Sequence, residues 1–251
     1  MIVLLVALLS GAMFYLSQGL SNLWALAWVA PAPLLWLAYT DAARWKVLAA
    51  SLAAFAAGQI YLLQCYWGQI PLSVLAPFVA FIVLFPLSIW LAGEGLRRDS
   101  SLAALLAFPA LWTALEFGIG KLSPHGTWGA LGYAEVSFPA GIQTASLFGV
   151  HAVTFVLCLS ANALALLARR RWAAGGVGVA VCALALIFGS HRRRLLVALR
   201  HPVSRNRCLP ARERAPAGAP CRRGERIQLN ITGHHANAAL PGNESPHNVT
   251  D

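Results

Sequence analysis

Apolar residues follow one another along most of the first 190 positions, in runs long enough to cross the hydrocarbon core of a membrane. Such a crossing takes about 20 mostly apolar residues, within a range of roughly 17–25. The first two runs are short and nearly contiguous, which predicts a tight helical hairpin, and the sixth is long enough to tilt or to begin in the outer interface. By this criterion we predict seven spanning helices, at residues 2–18, 22–39, 47–67, 71–93, 101–120, 139–168 and 173–190.

The run at 2–18 has a second interpretation, as a cleaved signal peptide. Signal peptides carry basic residues before the apolar stretch and precede a polar mature domain. Here no basic residue precedes the run, and the segment behind it is again apolar. An uncleaved first span is therefore the favoured interpretation.

Composition agrees with a chain that lies in lipid. Apolar residues make up 58% and charged residues 11%, against roughly 25% charged residues in a typical soluble domain. A soluble protein with so few charges could not cover its own surface, whereas lipid accepts apolar side chains on the outside of a helix bundle. We therefore expect an all-α, polytopic transmembrane helix bundle over residues 1–190.

Basic residues of the apolar region are concentrated in alternate loops, and this concentration predicts the orientation of the bundle. The loops between these contain no Lys or Arg, or only Lys121. Lys and Arg next to membrane spans are enriched on the cytoplasmic side. The pattern predicts a cytoplasmic N-terminus. The loop residues concerned are Arg44, Lys46, Arg97, Arg98, Arg169, Arg170 and Arg171.

Residues 191–251 have a different composition, rich in Arg, Pro, Ala and Gly. They contain eleven Arg and four acidic residues, a net charge of +7. Such a segment cannot bury a core, so we predict a disordered basic tail. Seven spans from a cytoplasmic N-terminus would leave this tail outside, although a basic cluster beside a span normally stays inside. Either the seventh span is not a full crossing, or the tail is not what normally follows it.

Glu116 stands within the fifth predicted span, where an ionisable group is costly and usually faces a cavity or a partner. Two interpretations remain open. The carboxylate is a polar anchor or ligand contact inside the bundle, or it lies at the interface, where it pairs with Lys121 or is solvated.

The segment 118–135 combines glycines and a proline with polar and aromatic side chains, and it predicts a re-entrant or surface loop on the outer side. Trp128 and Tyr133 fit an aromatic belt at the interface, and His125 with Glu135 would form an acid/base pair if they touch. With Glu116, these four residues are the candidate lipid or substrate contacts. No catalytic residue, cofactor site or metal site is predicted within the chain.

Three stretches carry a resemblance to a known family. They are GQIYLLQCYW at 58–67, LWTALE at 111–116 with LGY at 131–133, and FPAGIQTASLFGVHAVTF at 138–155 with SANALA at 160–165. The third is the most specific. Together they resemble the membrane region of bacterial apolipoprotein N-acyltransferase.

The resemblance implies an inner-membrane enzyme that transfers an acyl chain from a membrane phospholipid to the N-terminal cysteine of a lipoprotein. Family members place a nitrilase-like domain outside, between the last two of eight spans, and its Glu/Lys/Cys triad forms a thioester. No cofactor and no specific nucleic-acid partner is implied. The resemblance covers about residues 1–190, and Cys208 and Cys221 lie beyond it without nitrilase-like surroundings.

These observations lead to two hypotheses. In the first, the chain is a truncated, inactive acyltransferase whose residues 191–251 are translated out of frame, and an acyl-chain groove is bounded by spans five and six and the 118–135 loop. In the second, it is a non-enzymatic membrane anchor or lipid-binding subunit whose basic tail binds acidic headgroups. A transporter is less favoured, because the sequence has no internal repeat.

Overall fold

The computed structural model describes residues 1–18, 21–66, 76–123 and 126–200. Within these residues the chain is helical and has no strand, so the predicted all-α class is confirmed. Its α-helices are α1 (Ile2–Gln18), α2 (Trp24–Ala27), α3 (Ala32–Ala38), α4 (Arg44–Gly58), α5 (Ile60–Tyr66), α6 (Ala76–Arg97), α7 (Ser101–Leu122), α8 (Pro139–Ile142), α9 (Ala145–Phe148), α10 (Val150–Ala168) and α11 (Trp172–Arg200). A 3-10 helix, Leu131–Ser137, lies between α7 and α8.

Five helical segments of the described chain are long and apolar enough to cross a membrane. The two remaining predicted spans, near the N-terminus, are apolar helical segments of shorter length, Ile2–Gln18 and Trp24–Ala38. The count of seven predicted spans is therefore approximate. The five longer segments are Arg44–Leu62, Val79–Arg97, Ser101–Leu122, Val150–Ala168 and Trp172–Ala198.

The helices pack in a continuous order, α1 on α4, α4 on α6, α6 on α7, α7 on α10 and α10 on α11. An aromatic cluster of Phe14, Phe55, Phe85 and Trp112 forms the centre. The rings of Phe55 and Phe85 stack with centroids 4.3 Å apart, and Trp112 meets Phe85 edge-on at 5.2 Å. These are the favourable geometries of aromatic pairs, and they join α1, α4, α6 and α7.

The predicted second span, 22–39, is not one continuous helix, because a turn separates α2 from α3 at Pro31 and Pro33, the two prolines from which the sequence predicts a kink. Pro31 and Pro33 have no N–H to donate, so helical hydrogen bonds are lost here. The carbonyl of Trp28 instead accepts from Ser160 Oγ of α10 at 2.8 Å, and the carbonyl of Ala30 accepts from Ser10 Oγ of α1. Interrupted backbone at membrane depth is tolerated when protein surrounds it in this way.

The predicted sixth span, 139–168, is also wrong as a single helix. It contains α8, α9 and α10, and the break before α10 falls at Gly149, whose φ and ψ are 70° and −165°. Only glycine adopts that conformation without large strain. The chain therefore changes direction at Gly149, and the apolar run before it forms two short helices instead of the first half of a span.

The predicted loop at 118–135 is shorter than expected, because α7 continues through Gly118 and Gly120 to Leu122. A glycine weakens a helix by only about 1 kcal/mol, whereas unsatisfied backbone groups cost several kcal/mol each in an apolar medium. The turn that follows uses positive φ at Gly126 and Gly129, 61° and 85°, and leads into the 3-10 helix.

Helix α11 continues ten residues past the boundary that composition places at residue 190. Arg and Leu, which favour helices, fill much of this extension, and the next proline is Pro202. Residues 201–251, on which most of the disorder prediction falls, lie outside the described residues.

Pro109 lies inside α7. Because proline has no N–H, it leaves the carbonyl of Leu105 without its helical donor. Asn162 of α10 replaces that donor. Its Nδ2 donates to the carbonyls of Ala104 and Leu105, each at 2.8 Å, while its Oδ1 accepts from the hydroxyl of Tyr39. A single buried amide thus joins α7, α10 and the end of α3.

The three basic loops meet at one end of the bundle, which we call the charged end. Arg44 pairs with Glu94 at 3.3 Å and Arg97 pairs with the same carboxylate at 3.7 Å, while Arg171 pairs with Asp99 at 3.0 Å. The opposite end holds Trp128, Tyr133 and Glu135 and is called the aromatic end. The loops are therefore on one side of the bundle, and the assignment of that side to the cytoplasm stays a prediction.

Close packing of α1 on α4 gives a stability prediction for Gly58. A Cβ at this position would lie 2.4 Å from Cβ of Phe14, so Gly58→Ala is expected to lower the free energy of unfolding by about 1–3 kcal/mol through overpacking. Thermal unfolding followed by labelling of the buried Cys158 thiol measures this. Gly118→Ala is the matched control, because no atom lies within 4 Å of its Cβ, and it should not destabilise. Equal unfolding temperatures for the two variants would contradict the predicted α1–α4 contact.

Candidate functional site

Glu116 is the centre of a hydrogen-bonded group beneath the aromatic end. The residue is 2% exposed, and its Oε1 accepts from Trp112 Nε1 at 2.9 Å and from the backbone N–H of Leu131 at 2.8 Å. Its Oε2 accepts from Thr154 Oγ1 at 2.7 Å. Of the two interpretations left open by the sequence, the structure has the interior polar anchor and not a carboxylate paired with Lys121.

These bonds hold the 3-10 helix against the bundle. Trp112 and Glu116 belong to α7, Thr154 to α10, and Leu131 to the 3-10 helix, so one carboxylate joins three elements. Thr154 Oγ1 also accepts from the N–H of Gly132 at 3.1 Å, which continues the chain of hydrogen bonds. Connected buried bonds of this kind polarise and strengthen one another. The position of the aromatic end therefore depends on Glu116.

Glu135 is fully buried in the same 3-10 helix, but its surroundings differ. Among the described residues neither carboxyl oxygen accepts a hydrogen bond of good geometry, although the indole N–H of Trp28 is near enough to interact with the carboxylate. Burial, only partly offset by the indole of Trp28, raises the pKa of Glu135 to about 7. The carboxyl group therefore holds its proton through mildly acidic pH, where it is able to donate a hydrogen bond.

Trp128 and Tyr133 lie on either side of a cavity of about 310 Å³ at the aromatic end, with Gln18 and Asn22 of the α1–α2 region. Tyr133 is about half exposed, and its hydroxyl lies 2.8 Å from Thr127 Oγ1. Trp128 is partly buried and packs against the core. The structure thus brings two of the five sequence candidates together around a cavity with both polar and apolar walls.

His125 lies outside the described residues, so its proposed pairing with Glu135 stays a prediction. Of the four remaining candidates, Glu116 is a buried support of the aromatic end, Glu135 is buried in its 3-10 helix, and Trp128 and Tyr133 line its cavity. Their contact with lipid or substrate is likewise a prediction.

A second concavity, the lipid-facing groove, runs between α7, α9, α10 and α11 and has a volume of about 410 Å³. Its walls are almost wholly apolar. The groove predicted between spans five and six thus has α7 and α10 as walls, but α9 and α11 complete it in place of the 118–135 loop. Its lining residues are Thr113, Thr144, Leu147, Phe148, His151, Ala152, Phe155, Val156, Ala185 and Phe188.

The lining contains three polar residues that were not predicted from the sequence, Thr113, Thr144 and His151. Thr144 Oγ1 donates to the carbonyl of Gly141 at 3.0 Å. Oγ1 of Thr113 and Nδ1 of His151 are buried and lack a hydrogen-bond partner in the described chain. The spacing of Thr113, Phe117 and Lys121 in the sequence could have indicated that Thr113 is part of a distinctive helix face. Residues four apart share a helix face, and a face with one hydroxyl, one ring and one cation is unusual in a lipid-facing helix.

The comparisons with known proteins agree with this architecture. Residues 10–164 match the model of the apolipoprotein N-acyltransferase N-terminal domain. The chain is 33% identical over 167 residues to an apolipoprotein N-acyltransferase of Geobacter metallireducens, a match that covers 62% of this chain and 32% of the relative. A protein of the same name from Azotobacter vinelandii is 37% identical over 178 residues, 66% of this chain and 34% of the relative.

The chain therefore spans about a third of the length of these relatives. The matched residues 10–164 include α3 to α9, all five sequence candidates and most of the groove lining. This chain belongs to the apolipoprotein N-acyltransferase family, and most of its membrane bundle corresponds to that family's N-terminal domain.

Proposed function

We propose that this chain is the membrane part of an apolipoprotein N-acyltransferase in the bacterial inner membrane, with its N-terminus in the cytoplasm. In this role it binds a membrane phospholipid as acyl donor and presents it to the N-terminal cysteine of a lipoprotein. The family match across residues 10–164 carries the proposal. The concentration of basic loops at the charged end supports the orientation.

Within this proposal the two ends of the bundle have different tasks. The charged end faces the cytoplasm, and the aromatic end faces the compartment in which the lipoprotein terminus lies. Glu116 holds the 3-10 helix against the bundle. This fixes the position of Trp128 and Tyr133, which border the cavity, relative to the aromatic cluster. Tyr and Trp are suited to that level, because their rings lie in lipid while their polar atoms reach water.

We further propose that residues 1–251 do not complete acyl transfer by themselves. A thiol nucleophile needs a neighbouring base and access to its substrate. Of the three thiols in the described residues, Cys65 is partly buried and Cys158 and Cys182 are buried, with Cys182 Sγ 3.6 Å from the carbonyl of Val156. Buried thiols of this kind behave as small apolar groups. Translation of residues 191–251 out of frame belongs to the same proposal, and its Arg-rich composition supports it.

The test measures lipoprotein binding and acyl transfer by the full 251-residue chain, in a strain depleted of its own N-acyltransferase. We expect the chain to crosslink to a diacylated lipoprotein that carries a photoreactive residue next to its N-terminal cysteine. We expect no gain in acyl mass at that cysteine by mass spectrometry. Restored N-acylation would show that the chain performs the chemistry alone. Loss of the crosslink would instead favour a membrane anchor without a lipoprotein substrate.

The coding frame is tested separately by sequencing the gene through and beyond codon 190 and translating all three frames. A shifted frame that encodes a nitrilase-like domain with Glu, Lys and Cys would support the out-of-frame proposal. Absence of such a sequence from every frame would exclude it.

A further inference from the structure

We propose that a cavity at the charged end of the bundle is a binding site for a phosphate group, which Arg97, Arg169 and Arg171 recognise. The inference goes beyond the proposed function, because it concerns the end of the bundle opposite to the aromatic end and involves neither the acyl donor nor the lipoprotein. A free phosphate ion and a lipid headgroup offer the same chemistry, and the experiment separates these two sources.

The first argument is the position and the accessibility of the cavity. It has a volume of about 280 Å³ and lies between the end of α3 with the turn that follows it, the end of α6, and the loop between α10 and α11. Its walls are mostly polar. Arg97 and Arg171 keep 33% and 44% of their side-chain surface exposed, and Arg169 is also exposed. A solute in the cavity therefore reaches all three side chains.

The second argument is the type of cation in the wall. The three basic residues that line the cavity are all arginines, and a guanidinium group has five N–H donors in a planar fork that matches the oxygen atoms of a phosphate. Three such groups around one cavity can each donate to a different oxygen of a tetrahedral anion, whereas a carboxylate has only two oxygens. With Asp41, the wall has three positive charges and one negative charge, a net charge of +2, which balances a phosphate dianion.

The third argument is that structural contacts do not occupy these cations. Basic side chains often bind carbonyls at the ends of helices, and Arg97 does so, since it donates to the carbonyl of Ala42 at 3.1 Å. Arg171 pairs only with Asp99, whose side chain is 83% exposed, and exposed pairs of this kind contribute little to stability. Arg169 has no hydrogen bond or ion pair among the described residues. Arg169 is therefore available to an anion, and Arg171 gives up little by turning to one.

The test measures thermal unfolding of the full chain in detergent, followed by labelling of the buried Cys158 thiol, while inorganic phosphate replaces chloride at constant ionic strength. We expect phosphate to raise the unfolding temperature, because a ligand that binds only the folded state stabilises it. Acetate at the same ionic strength should not. Arg169→Gln should raise the phosphate concentration at half effect about tenfold, since a hydrogen bond to a charged group contributes about that factor.

Two control variants separate a built site from a general positive potential. Arg170→Gln removes the same charge from the same loop, but Arg170 does not line the cavity. It should change the half-effect concentration less than twofold, because salt screens charges that make no direct contact. Asp41→Asn removes the negative charge from the wall and should lower that concentration by about threefold. A merely structural role of Asp41 would not make phosphate bind more tightly.

The source of the phosphate group is tested with dihexanoyl phosphatidic acid, which has a phosphate monoester on a short lipid. A site open to the membrane should bind this lipid at lower concentration than inorganic phosphate, and a site open to water should bind both equally. Either result supports the site if Arg169→Gln weakens the binding. Equal effects of phosphate and acetate, or equal losses in Arg169→Gln and Arg170→Gln, would overturn the inference. No lipoprotein or acyl transfer enters the measurement, so its failure is separable from a failure of the proposed function.

Discussion

Replacing Asn162 by leucine is expected to lower the free energy of unfolding by about 2 kcal/mol, although leucine is the more apolar residue and has nearly the same size. The amide donates to the carbonyls of Ala104 and Leu105 and accepts from Tyr39. Interhelical hydrogen bonds in membrane proteins contribute about 0.6 kcal/mol on average and up to about 1.7, and three are lost here. Thermal unfolding, followed by reaction of the buried Cys158 thiol, should shift down by about 4–8 °C.

A double-mutant cycle with Pro109→Ala isolates the cause. The carbonyl of Leu105 lacks a helical donor because residue 109 is proline, and alanine would restore that donor. Asn162→Leu should therefore cost about 1 kcal/mol less in the Pro109→Ala background than in the wild type. If the two costs are equal, the amide does not compensate for the proline, and its effect comes from packing alone.

Replacing Glu116 by alanine is expected to have a larger effect, about 3 kcal/mol or more. The substitution leaves the N–H of Trp112, the N–H of Leu131 and the hydroxyl of Thr154 without their shared acceptor. Each buried donor left unpaired costs about 1–3 kcal/mol. The loss falls at the contact between α7, α10 and the 3-10 helix, so the aromatic end should loosen before the bundle unfolds.

Hydrogen exchange measures that local loosening. The backbone amides of Leu131 and Gly132 should exchange faster in Glu116→Ala, while amides in the middle of α4 keep their wild-type protection. Glu116→Gln retains one acceptor oxygen for Trp112 and Leu131, and it should show an intermediate effect. Unchanged exchange at Leu131 in the alanine variant would mean that other contacts hold the 3-10 helix.

The class of the fold follows from the sequence because membrane spanning imposes a simple length rule. Runs of about 20 apolar residues identified the five long helical segments, and the basic loops identified the residues that meet at the charged end. The interruption of the second span follows from Pro31 and Pro33, but the break at Gly149 was not predicted, because hydropathy averages over a window and does not register a backbone conformation. Gly149 and the pair Pro31 and Pro33 lie in runs as apolar as any other, yet they end or divide helices.

The candidate site was predicted in part for a related reason. Glu116 was recognised because a carboxylate in an apolar run is conspicuous, and Trp128 and Tyr133 because they are aromatic residues in a glycine-rich segment. Thr113 and His151 are as polar as many ordinary residues of membrane helices, and their significance comes from atoms that lack a partner. That property depends on three-dimensional neighbours, which no local pattern of residues contains.

The turn between α2 and α3 has a consequence for the order in which the chain enters the membrane. The carbonyl of Trp28 finds its donor, Ser160 Oγ, 132 residues later in the sequence. During synthesis the N-terminal hairpin therefore emerges with a backbone acceptor that no nearby residue can satisfy. We expect residues 24–38 to remain beside the insertion machinery or in the interfacial region until α10 is made. The bundle would then close late, when α10 packs against the turn between α2 and α3, instead of growing one stable span at a time.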